Sequence, residues 1–237
     1  MITRIAVVPC PPLLVPELTA GSGPELAQLR GACSRAASSL TDVAPEWVAV
    51  AADPTGPRML PPASAGTFAG YGVDVRVSLG EPAAPDPELP LPGLIAGWLR
   101  ERAGASSVAA HLLEPGAPAD RCARWGTDLD RSTGSAPTGL LVLADGTDCR
   151  DERSPRPVDD RAAPLDERIG TALAEADAAA LRDLDPALAE LGVRGRAALQ
   201  TMPGVVAASG ARWHAEPLHS AAPFGIGYHV AVWSRLG

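Results

Sequence analysis

Lysine is absent from this chain: all twenty basic residues among its 237 are arginine. Together with the richness in Ala, Gly and Pro this reads as base-composition bias and carries no mechanism. Aromatic residues are few, five Trp with two Phe and two Tyr, too sparse for a stacking platform that would bind single-stranded nucleic acid. The formal charge of −8 leaves no concentrated positive surface for phosphate, so nucleic acid and anionic membranes are not expected partners. The densest basic group, Arg150, Arg153 and Arg156, is offset by Asp148, Asp151 and Glu152 and reads as a solvated loop. No apolar run reaches membrane-spanning length. Pro9, Pro11, Pro12 and Pro16 interrupt the apolar N-terminus and no small-residue cleavage site follows, so a signal peptide is not expected. The four cysteines, Cys10, Cys33, Cys122 and Cys149, form no C-x-x-C pair and no disulfide spacing, as expected of reduced thiols in a cytoplasmic protein. G-x-G-x-x-G, Walker and G-x-S-x-G signatures are missing. With four histidines and no His-x-His or His-x-x-x-His spacing, no paired ligands share one element and no Ser-His-Asp triad is convincingly placed.

What is present is a regular alternation of apolar strands and amphipathic helices. Ile2–Val8, 47–51, Ser107–Leu113 and 138–144 are short, largely apolar and rich in β-branched residues, as in strands buried on both faces. Segment 73–79 alternates like a half-buried strand, and 213–218 and 226–233 form a closing pair. Helices are predicted from Pro24 onward (Leu26, Leu29, Cys33, Ala36, Ala37, Leu40), around Leu94–Leu99 up to Gly104, over 120–130, after a cap at Asp159, and over 178–191 and 195–208. Gly and Pro number 24 and 25, so long loops are expected, the longest over 53–72. The expected architecture is α/β: one domain over 1–237 with a central, mostly parallel β-sheet covered by helices. Ligands of such sheets sit beyond the carboxyl ends of the strands. That directs attention to 9–16, 53–71 and 145–158, with the turn before the last strand as a fourth candidate.

At those loops the chain resembles the B-subunit-like family of class III extradiol ring-cleavage dioxygenases, including its Memo-like branch. The resemblance runs through Val8-Pro-Cys-Pro-Pro-Leu-Leu-Val-Pro16, Ala52-Asp-Pro-Thr55, Asp145-Gly-Thr-Asp148, Asp160-Arg-Ala-Ala-Pro-Leu-Asp166 and Pro223-Phe-Gly-Ile-Gly-Tyr228, and covers nearly the whole chain. It implies an Fe(II) site of two histidines and one glutamate, open to a catechol-like diol and O2, with a further histidine as acid/base. The residues at those positions differ. Cys10 stands at the first histidine and Thr55, after Asp53-Pro54, at the second. Asp148 occupies the acid/base position, or Cys149 with a one-residue slip, and Ala221 that of the glutamate.

Two expectations follow. One is a dioxygenase-like protein that has lost its iron site and binds a small molecule, an aromatic one among the candidates, or a protein segment, with Asp148 at the old acid/base position. The other is a ring-opening oxidoreductase with an atypical site in which Cys10, Asp53 and His219 hold Fe(II) or another divalent metal; a thiolate would favour softer ions. A weaker third is a redox-responsive thiol at Cys10. Against any metal site stands a plainer reading: Cys10 as a small buried hydrophobe, Asp53-Pro54 as a turn starter and His219 capping a surface turn. The resemblance also allows a homodimer, and no segment marks its interface.

Overall fold

The computed structural model describes residues 1–19, 23–81 and 84–237. Its central sheet has seven strands: β1 (Ile2–Val8), β2 (Glu46–Ala52), β3 (Arg58–Leu60), β6 (Ser107–Leu113), β7 (Thr138–Leu143), β8 (Trp213–Ala221) and β9 (Tyr228–Arg235), in the order β3-β6-β2-β7-β1-β9-β8. The middle four, β6, β2, β7 and β1, run parallel, with Val8 paired to Leu143 and Ala51 to both Leu143 and Leu112. β3 joins one side antiparallel and the β9–β8 hairpin the other. A separate two-stranded ribbon pairs β4 (Ala65–Thr67) with β5 (Arg76–Ser78).

Strand alternation sorts the core into two layers. Ala6, Val8, Ala49, Ala51, Leu141 and Leu143 face α1 (Pro24–Thr41) and α2 (Leu91–Ala103), meeting Leu29, Cys33 and Leu40 of the first and Leu94, Ile95 and Leu99 of the second. Ile5, Val7, Val50, Leu140 and Val142 point the other way, onto α4 (Ala162–Glu175), α6 (Arg196–Leu199) and α7 (Met202–Ser209). On that side α3 (Ala119–Ser132) crosses α7 with the backbones in contact. A Cβ on Gly126 would lie 2.0 Å from the Thr201 carbonyl oxygen, and one on Gly204 1.8 Å from that of Ala123.

Several predicted elements change. Segment 53–72, expected as loop, contains β3, β4 and a 3-10 turn over Phe68–Tyr71. Segment 73–79 is a strand only over Arg76–Ser78, and it belongs to the small ribbon rather than the central sheet. Helix 178–191 is α5 (Ala178–Arg182) followed by a 3-10 segment at Pro186–Leu191, because a proline cannot donate to the preceding turn. The same cause divides 195–208 into α6 and α7, with Pro203 in the first turn of α7. Asp159 does not cap α4 itself. It closes the turn before it, its carboxylate accepting from the Arg161 N–H at 2.9 Å and its carbonyl from Ala162 N–H at 2.9 Å.

Candidate functional site

Because β1, β2, β6 and β7 are parallel, the loops leaving them gather at one end of the sheet. There they enclose a cavity of about 660 Å3 lined by Cys10, Asp53, Tyr71, Asp145 and Arg194, with Leu91, Pro90 and Val193 among its apolar walls. Three of them arrive just past a strand, Cys10 after β1, Asp53 after β2 and Asp145 after β7, whereas Tyr71 comes from the 3-10 turn and Arg194 from the turn before α6.

Cys10 and Asp145 are tied together. The Cys10 N–H donates to Asp145 Oδ1 at 2.8 Å, joining adjacent strands across the floor of the cleft. Burial raises the Asp145 carboxyl to a pKa of about 6, with the nearby Asp148 charge adding to it and the Cys10 N–H and Arg194 working against it. Burial, reinforced by Asp145 and Asp53, pushes the Cys10 thiol well above its ordinary value. The thiol is therefore protonated at neutral pH, which makes it a poor nucleophile and a poor metal ligand.

Asp53 behaves as a turn starter. Its Oδ1 accepts from the Thr55 N–H at 2.9 Å and the Thr55 hydroxyl at 2.6 Å, while its backbone N–H bonds the Leu113 carbonyl. Asp148 is buried behind the cleft, where Oδ1 accepts from Arg156 at 3.1 Å and Oδ2 pairs with Arg194 at 3.8 Å. Its contact with Arg194 is a link to the cavity wall; Asp148 itself does not line the cavity. His219 lies on the edge strand β8 and lines a different, smaller cavity against α4.

The structure thus brings Cys10 and Asp53 to one cleft and leaves His219 outside it. Among the described residues no group of three or more His, Cys, Asp or Glu side chains is placed to hold a metal ion. Iron, which the family resemblance implies, does not fit this donor set: a protonated thiol at Cys10, the Thr55 hydroxyl bound to Asp53 and the methyl of Ala221 stand where that resemblance calls for two imidazoles and a glutamate. Of the other histidines, His111 is half-buried with its ring 5.3 Å from that of Trp125, His214 is exposed on β8, and His229 is buried.

Arg194 and Tyr71 are cleft residues that sequence reasoning does not single out, and Asp145 enters it only as part of the Asp145-Gly-Thr-Asp148 motif, not as a site residue. Asp145 carried a legible signal, being the first polar residue after the most apolar strand. Arg194 had none, since it reaches the cleft from the distant 192–195 turn that precedes α6. No family model matches this chain, and no curated protein matches it.

Proposed function

We propose that the cleft at the strand ends is a metal-independent binding site for a small hydroxylated aromatic acid, on a dioxygenase-like α/β scaffold that has lost its iron ligands. The observation that carries this reading is the presence, on the wall of one cavity of about 660 Å3, of both Asp145 and Arg194. That volume is within the usual range for small-molecule sites. Arg194 offers a fork of donors for a ligand carboxylate. Asp145 and Asp53 offer acceptors for phenolic hydroxyls. Tyr71, Leu91 and Pro90 supply surfaces for a ring.

Each group acts by binding or orienting. Asp148 holds Arg194 at the rim. The Cys10 N–H fixes one Asp145 oxygen and leaves the other to face a ligand. The thiol, neutral and buried, contributes apolar contact. An extradiol cleavage would require a donor set that these residues do not supply.

Calorimetric titration of the chain with 3,4-dihydroxybenzoate tests the reading. One saturable site is expected, weakened about 10-fold or more by Arg194→Ala and by Asp145→Asn, as loss of a charge-assisted hydrogen bond dictates. Affinity unchanged in both variants would assign binding to some other place.

A further inference from the structure

We propose that Ser220, His229 and Asp166 form a second site, separate from the cleft, in which Ser220 is a nucleophile toward small uncharged esters. Ser220 and His229 are cross-strand partners on β8 and β9, so both side chains project from the same face of the hairpin. Ser220 Oγ lies 3.0 Å from His229 Nδ1. On the far side of the ring, His229 Nε2 lies 3.8 Å from Asp166 Oδ1, a charge contact rather than a hydrogen bond, and looser spacings of this kind are usual before substrate binds. The residues come from the last hairpin and the first turns of α4, a juxtaposition that their sequence spacing does not announce.

The carboxylate is well fixed. Asp166 is fully buried and accepts from the Thr147 N–H at 2.9 Å, the Thr147 hydroxyl at 2.7 Å and Arg150 at 3.3 Å. Such an anion favours the His229 tautomer with its proton on Nε2, which leaves the Nδ1 lone pair toward Ser220. His229 is itself buried, and no hydrogen-bond partner of Nε2 is found among the described residues. At the other end Ser220 is exposed and opens on a cavity of about 300 Å3.

The helix leaves room for the pair. Gly170 of α4 faces them, and a Cβ there would lie 3.0 Å from Ser220 Oγ and 3.3 Å from His229 Nδ1. The cavity's Leu173, Ala174 and Ala231 suit a short acyl chain, while Glu167 on its wall and Asp166 behind the ring disfavour an anionic one. An acylation would run as follows. Ser220 Oγ bonds to the ester carbonyl carbon as its proton passes to His229 Nδ1, and the resulting imidazolium is stabilised by Asp166. The alkoxide leaves as the alcohol, taking that proton. Water then attacks the acyl carbon and returns a proton through His229 to Ser220, releasing the acid.

The test uses the full chain and diisopropyl fluorophosphate, whose phosphorus is attacked by an activated hydroxyl with loss of fluoride and a proton. Mass spectrometry is expected to find one adduct, on Ser220. His229→Gln should slow the adduct about 100-fold or more, the usual worth of a general base, and Ser220→Ala should abolish it. Either no adduct on Ser220 or an equal rate in a folded His229→Gln chain would overturn the proposal. The wild-type adduct and its site need no variant, so the test stands even where His229→Gln fails to fold.

Discussion

Asp145 ties binding to stability through a single proton. Its carboxyl titrates at about 6 in the fold against an ordinary 3.8, so between those values the folded chain holds a proton that the unfolded chain has released. Stability contributed at this site is therefore highest below pH 4, falls as pH rises toward 6, and stays level above it. The full difference corresponds to about 3 kcal/mol, and water entering the cleft reduces it. Asp145→Asn should remove that slope and raise stability at pH 7 by about 1–3 kcal/mol, while weakening the ligand. Urea unfolding of both chains at pH 4, 5, 6 and 7 checks this, and parallel pH profiles would contradict it. A stabilised chain that binds less well is the pattern expected where a strained charge serves a site.

Among the elements, the largely apolar strands of the central sheet were the legible ones. β1 and β6 fall at the predicted residues, Ile2–Val8 and Ser107–Leu113, although β1 carries Thr3 and Arg4 and β6 buries only alternate side chains. Strands of three residues such as β3 and β4 carry no period, so 53–72 reads as loop. The alternation over 73–79 reports a half-buried surface and not the identity of the partner, so it does not reveal that β5 pairs with β4 outside the central sheet. The same holds for the sites. Asp53 and Cys10 could be placed at strand ends, whereas the meeting of Ser220, His229 and Asp166 depends on hairpin register and on how α4 docks. The α3–α7 crossing gives an element-scale prediction. Gly204→Ala gains helix propensity yet drives a methyl into the Ala123 carbonyl, for a net loss of about 2–3 kcal/mol. Gly31→Ala, on α1 with nothing nearer than 3.7 Å, should stabilise by about 0.5–1 kcal/mol. Thermal melts of the two variants should move in opposite directions; a shared direction would rule out backbone contact at the crossing.

The molecule as a whole combines a mixed central sheet with a cleft at the strand ends lined by Cys10, Asp53, Asp145 and Arg194. Four parallel strands fix where the loops converge, and the antiparallel hairpin closes the sheet with an edge strand broken by Pro217 and a register shift before His219, which discourages pairing with another sheet. Among the described residues no helix is long and apolar enough to cross a membrane. Fold of this kind does not carry chemistry with it; the residues at the strand ends do. The most direct measurement is the affinity of 3,4-dihydroxybenzoate for the chelator-treated chain, compared with the same titration under argon after addition of Fe(II), followed by admission of oxygen with its uptake recorded. The two affinities should agree within about 2-fold, well under 1 kcal/mol, and oxygen uptake should match that of Fe(II) and ligand alone. Binding that appears only with iron, accompanied by oxygen consumption above that control, would contradict the account.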